Sequence, residues 1–119
     1  MKLIAPFLKI QQQLRIFHWQ TESYAQHKAF GKSYEALDEL IDQFVEVFTG
    51  KYGRPKAKFT YNIELKNYDE NFATEIDDAI FFLTEITKVV DVSADTDLLN
   101  IRDEMLAELN QLKYLLSLR

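Results

Sequence analysis

The sequence predicts an all-α fold, a single domain over residues 1–119 built from four antiparallel helices with one long connection between the second and the third. Three observations lead there. Apolar residues recur at spacings of three and four through four separate stretches, which places them on one helical face each time. Glycine occurs three times and proline twice, too little material for the many turns of an all-β fold. A chain of 119 residues is the size of one domain with one core.

Helix one is expected over about 6–24, with Phe7, Ile10, Leu14 and Phe17 inward and Pro6 in the first turn, where a missing N–H costs nothing. A polar break around Thr21 to Gln26 follows. Helix two, over about 28–49, carries Phe30, Tyr34, Leu37, Ile41, Phe44 and Phe48 at a four-three repeat and stops at Gly50 and the Gly53-Arg54-Pro55 run. Residues 50–69 lose that period. Phe59, Tyr61, Ile63 and Leu65 alternate with polar neighbours instead, as an extended segment with one packed side would. At ~3.3 Å per residue such a segment can travel the ~30 Å length of a helix and leave helices two and three parallel. That connectivity is the ferritin-like one.

Helix three is expected over about 70–89, with Phe72, Ile76, Ala79 or Ile80, Leu83 and Ile86 inward and the acidic Glu75, Asp77 and Asp78 elsewhere on its first half. Ser93 is the expected cap of helix four, over about 94–117, which carries Leu98, Ile101, Met105, Leu109, Leu112 and Leu116 at core spacing.

Composition excludes several functions. A net charge of -5 argues against a surface that grips nucleic acid through phosphates, so no direct nucleic-acid binding is expected. Without cysteine there is no disulfide, no thiolate nucleophile and no Cys-ligated zinc or iron–sulfur site, so any metal must rest on His, Asp and Glu. The amino terminus is interrupted by Lys9, three Gln and Arg15 too early for a signal peptide or membrane span, which makes a cytoplasmic protein without a membrane role the expectation. Gly-rich phosphate loops and His-Glu-x-x-His are absent too, and neither histidine follows a Glu by three residues, as single-chain di-iron ferritins require.

What remains is a small set of metal-ligating side chains. The two histidines, His18 and His27, flank the same inter-helix turn. On helix two Asp42 and Glu46 are four apart and project from one face, with Asp38 a turn earlier; imidazole mixed with carboxylate suits Fe(II), Mn(II) or Zn(II). His27 and Asp42 are fifteen residues apart, about 22 Å along a helix, so one chain cannot bring both to one ion. A second copy packed about a twofold axis could, giving two identical sites per dimer.

The run Phe17-His18-Trp19, then His27, then Asp42-x-x-x-Glu46, resembles the first half of the Dps proteins, the mini-ferritins of the ferritin-like superfamily. The resemblance implies an iron-oxidising centre across a dimer interface. In it His18 and His27 of one chain and Asp42 and Glu46 of the other would hold iron, with manganese or zinc as substitutes, and Fe(II) would be oxidised by peroxide or oxygen in a homodimer or larger homo-oligomer. Members of that family carry an acid one turn after the second histidine, and this chain has Gly31 there.

The alternative is a non-enzymatic helical interaction or structural module without a complete metal site, of the kind a phage or other compact genome carries. A third reading is an adaptor using Tyr61, Tyr68 and the aromatics of the crossover. Residue by residue there are plainer roles as well. His18 can donate to a neighbouring side chain, His27 can sit exposed at a helix start, and Glu35, Asp38, Glu39, Asp42 and Glu46 can form a solvated face. Trp19 is expected to bury area as a packing residue, and Tyr34 to belong to the core.

Overall fold

The computed structural model describes residues 2–69 and 71–118. Four α-helices follow one another, α1 (Ile4–Gln20), α2 (Tyr24–Tyr52), α3 (Phe72–Glu85) and α4 (Thr96–Leu116), with a 3-10 turn Ile86–Lys88 extending α3. Among the described residues there is no strand. The helices pack side by side around one apolar core, in which Phe7, Phe17, Phe30 and Phe44 are fully buried together with Leu37, Leu83, Leu98, Met105, Leu109 and Leu112. Ring pairs join the elements, Phe7 edge-on to Phe44 at 5.2 Å and Phe17 tilted against Phe30 at 5.6 Å.

Side-chain pairs fix the directions. Phe7 packs on Phe82 and Phe17 on Phe72, so α1 and α3 run antiparallel. Lys51 reaches Asp97 while Ser33 reaches Glu108, so α2 and α4 do too. Between Tyr52 and Phe72 the chain therefore returns to the end where α2 begins. It is caught there by Gln13 of α1, whose amide nitrogen donates to the Lys66 carbonyl (2.7 Å) and whose carbonyl accepts from the Lys66 N–H (2.8 Å). A buried Gln thus satisfies a backbone unit of the crossover as a neighbouring strand would. Gln20 and Gln26 add bonds to the Tyr68 N–H and the Tyr68 hydroxyl.

Several expectations change. Helix one stops at Gln20 because Ser23 caps α2, its hydroxyl accepting from the Gln26 N–H, so the Tyr24 region opens helix two instead of closing helix one. Helix two continues through Gly50, at ~1 kcal/mol relative to alanine. The extension places Lys51 and Tyr52 against the head of α4, and the turn-off comes at Gly53, whose φ of 92° suits only glycine. Glu70, expected at the head of helix three, lies outside the described residues.

The last turn of α3 tightens where buried Arg102 donates to the Leu83 carbonyl and the Thr87 hydroxyl. Asp95, not Ser93, precedes α4. Its carboxylate accepts from Tyr52 Oη (2.5 Å) and the Asp91 N–H (2.9 Å) and pairs with Lys51 Nζ at 3.1 Å. Ser93 sits in a turn made by Asp91, whose carboxylate accepts from the Ser93 and Ala94 N–H groups.

Glu75, expected away from the core, is 92% buried at the crossover's end of α3, paired with Lys66 (2.8 Å) and Lys9 (3.6 Å). The alternating apolar side of the crossover is not packed: Phe59 is 86% exposed, and Tyr61, Ile63 and Leu65 are exposed as well. The anchor of this segment is its backbone at Lys66.

Two ionic nodes, one at the first turn of α3 and one where the end of α2 meets the head of α4, give stability a sign with pH. The Lys66 ammonium holds the Glu75 carboxyl below its ordinary 4.5, the Tyr52 hydroxyl does the same for Asp95, and Lys51 does it for Asp97, both below 3.8. A carboxyl depressed in the folded state binds fewer protons there than in the unfolded chain. Its contribution is present above the ordinary value and lost as pH falls through the folded one. Urea unfolding followed by circular dichroism should thus give a midpoint that declines as pH drops below the ordinary carboxyl range, and Asp95→Asn should lower the neutral-pH midpoint while flattening that decline.

Candidate functional site: a histidine pair at the α1–α2 turn

Only Thr21 to Ser23 separate α1 from α2, so the last turn of one helix lies beside the first turn of the other. The end of α1 leaves the His18 carbonyl without its intrahelical donor. His27 supplies one: its Nδ1 lies 2.8 Å from that oxygen. The reverse contact is also made, with His18 Nδ1 2.6 Å from the His27 carbonyl. The rings stack with centroids 3.8 Å apart and planes 15° from parallel. A carbonyl oxygen only accepts, so each Nδ1 carries a proton and donates, and in the neutral ring Nε2 keeps its lone pair.

The His27 carbonyl already faces the N–H of Gly31 one turn on, as α-helical geometry requires. To reach its second lone pair the His18 ring must lie over Gly31. A Cβ at that position would stand 2.9 Å from His18 Cε1 and 3.1 Å from Nδ1. Gly31 is therefore the seat of the His18 ring, and no acidic side chain fits there while the clasp holds.

A row of polar and aromatic groups continues from the pair along the α1–α2 seam. Tyr34 meets His18 edge-on at 5.3 Å, and the Arg15 guanidinium lies 4.9 Å from the Tyr34 ring centre. Arg15 then donates to Asp38 at 2.5 Å. Burial pushes the Asp38 carboxyl up, Arg15 opposes that, and Asp42 one turn on adds to the rise. Asp38 is thus committed to Arg15, and Tyr34 is a partly buried member of this row as well as a neighbour of the core.

Asp42 and Glu46 lie farther along α2 with both side chains exposed. The sequence's four candidate ligands accordingly fall into two places. His18 and His27 are in contact and half-buried, while the carboxylates are separate and open to solvent. Among the described residues no three His, Asp or Glu side chains come close enough to hold one ion within the chain.

Trp19, expected as a packing residue, is 70% exposed, and Tyr24 is 72% exposed. They flank the histidine pair because their helix faces point away from the core. Sequence reasoning missed the roles of Gly31, Arg15 and Ser23. Of these, only Ser23 carried a readable signal, as a Ser followed three residues later by Gln.

The seat predicts a non-additive pair of substitutions. Gly31→Ala in the native background should lower the melting temperature, because the added methyl displaces the His18 ring from its hydrogen bond to the His27 carbonyl and from its stack on His27. In a His18→Ala background the same change should be neutral or raise it, since alanine is favoured over glycine in a helix by ~1 kcal/mol. Equal effects in both backgrounds, read from thermal melts, would contradict the packing.

The profile of a family of unknown function, DUF5856, matches residues 18–116, from the first histidine of the pair to the end of α4. Among curated relatives, an uncharacterized 14.6 kDa protein in the mobD-ri intergenic region of Enterobacteria phage T4 is 44% identical over 46 residues, 39% of this chain and 34% of that protein. The chain thus spans about a third of the length of the curated relative it matches. No solved structure matches it. The family match runs over most of the sequence and includes both histidines, and on that ground the chain belongs to the DUF5856 family.

Proposed function

We propose that this protein is a shortened, Dps-like member of the ferritin-like superfamily, a cytoplasmic homo-oligomer that binds Fe(II) between two copies and favours its oxidation by peroxide or oxygen. The observation that carries the reading is the reciprocal clasp. Metal-ligating histidines commonly donate the ring N–H that faces away from the metal to a carbonyl, which fixes the tautomer and orients the other nitrogen. His18 and His27 both have that arrangement, with Nδ1 engaged and Nε2 free. The helix directions and the long return between α2 and α3 agree with a ferritin-like bundle.

The chemistry of the donor set limits the site. Two imidazoles from one chain with Asp42 and Glu46 of a second copy make a mixed nitrogen and carboxylate set that suits Fe(II), Mn(II) or Zn(II), and the negative charge of the carboxylates favours iron in its higher oxidation state. Gly31 supplies no further carboxylate and leaves no room for one. The reading is therefore of one ion per chain, two per twofold dimer.

The second reading is a helical interaction module that has kept the fold and lost the metal. It draws on the same glycine and on the engagement of the two rings with each other. Anaerobic Fe(II) titration by calorimetry, with the mass in solution measured on the same sample, separates the two. The metal reading expects saturation near one ion per chain in a dimer or larger assembly, abolition by His18→Ala, and affinity at least ~10-fold weaker in Asp42→Asn with the fold unchanged. Mn(II) should also raise the melting temperature by mass action. A folded oligomer that binds neither metal sinks the reading and leaves the interaction module.

A further inference from the structure

Helices α1 and α3 meet at two aromatic contacts and part between them. Phe7 packs on Phe82 at 5.4 Å and Phe17 on Phe72 at 6.3 Å, and on each helix the two rings are ten residues, about 15 Å, apart. The register these pairs set puts Ile10 level with Ala79 and Gln13 level with Ile76. Ala79 is too short to meet Ile10. The result is a cleft of about 260 Å³ walled by Ile10, Leu14, Phe17, Ile76, Ala79 and Phe82, with the fully buried Leu109 of α4 at its floor. Half-exposed Lys9 and exposed Asp78 mark its mouth.

Water is a poor occupant of such a space, because an ordered water needs two to four polar partners. The polar groups on the wall are already used. Both ends of the Gln13 amide are bonded to the Lys66 backbone, and Glu75 is held by Lys66 and Lys9. The described side-chain oxygens that are buried without a hydrogen bond, on Asp38 and Asp95, lie elsewhere. The ionic groups at the rim sum to zero, the ammoniums of Lys9 and Lys66, both paired with Glu75, against the carboxylates of Glu75 and Asp78, so the mouth carries no net charge to favour an anionic or a cationic head group.

We propose that the α1–α3 cleft is a binding site for an uncharged, mainly apolar small molecule of about ten carbons, scaled from the ~150 Å³ apolar cavity that takes one benzene. Its length between the aromatic pairs suits a linear chain or a fused two-ring system, and its wall is set by the alanine at position 79. This site is separate from the histidine pair and does not depend on the metal reading.

The test is titration of the intact protein with N-phenyl-1-naphthylamine, a neutral fluorophore, followed by displacement with 1-decanol, decanoate or decylamine. The expected result is saturable emission at one probe per chain, with 1-decanol displacing it at least tenfold more effectively than either charged analogue. Ala79→Leu, which fills the cleft, should weaken probe binding at least tenfold without lowering the melting temperature. Should that variant fail to fold, methyl resonances of Ile76 and Leu109 in the native protein should shift on adding 1-decanol while those of Ile63 in the crossover do not. Lack of saturable binding, as when a side chain of a second copy plugs the cleft, would overturn the proposal. So would equal displacement by decanoate, unchanged binding in a folded Ala79→Leu, or shifts confined to Ile63.

Discussion

Two backbone carbonyls, those of His18 and His27, organise the end of the molecule where the candidate site lies. A three-residue turn brings two helix ends together faster than ordinary capping can satisfy them, and each histidine answers the other's carbonyl. Many local features follow from that exchange. It needs a glycine at position 31, it fixes the proton on Nδ1 of both rings, and it holds the His18 ring against the edge of Tyr34. The seam then runs through Arg15 to Asp38 as a continuous set of contacts. Each bond of this kind is worth only ~1 kcal/mol net, so their value lies in geometry more than in stability.

The remainder of the fold solves a different problem, how to return the chain from the end of α2 to its beginning without a helix or strand to carry the backbone. The structure pins the segment at its ends. Lys51 and Tyr52 lock the end of α2 to Asp95 and Asp97 at the head of α4, and Gln13 with Glu75 catches Lys66 where α3 is about to begin. Between those points side chains such as Phe59 stay in solvent. Parallel placement of α2 and α3 thus rests on a few polar contacts, while the apolar core holds the helices together once they are placed.

The parts of this structure that were legible in the sequence are those governed by period. Helical spacing marked the apolar faces, and the buried positions Phe7, Ile10, Leu14, Phe17, Phe30, Leu37, Phe44, Leu98, Met105 and Leu109 lie on them. What spacing does not encode is which polar residue finds a long-range partner. Gln13 and Lys66 are 53 positions apart, and Glu75 looked like an ordinary acidic residue near a helix start. Crossover alternation suggested burial because period two is the same for a packed strand and for an extended chain held only by its backbone. At the candidate site the histidines were visible as residue types. The reason for Gly31 was not, because a glycine that seats a ring from another helix looks like any other glycine in sequence.

The central claim is that the clasp fixes both imidazoles as Nδ1–H tautomers with Nε2 open. Long-range nitrogen–proton correlation spectra of the two histidines at about pH 8, above the ordinary imidazole range, test it directly. The account predicts that both rings show a protonated Nδ1 and an unprotonated Nε2, and that Zn(II) shifts the Nε2 resonances of both while the Nδ1 protons stay in place. A protonated Nε2 on either ring, or rings averaging between tautomers, would contradict the clasp and remove the geometric support for a metal site between two copies.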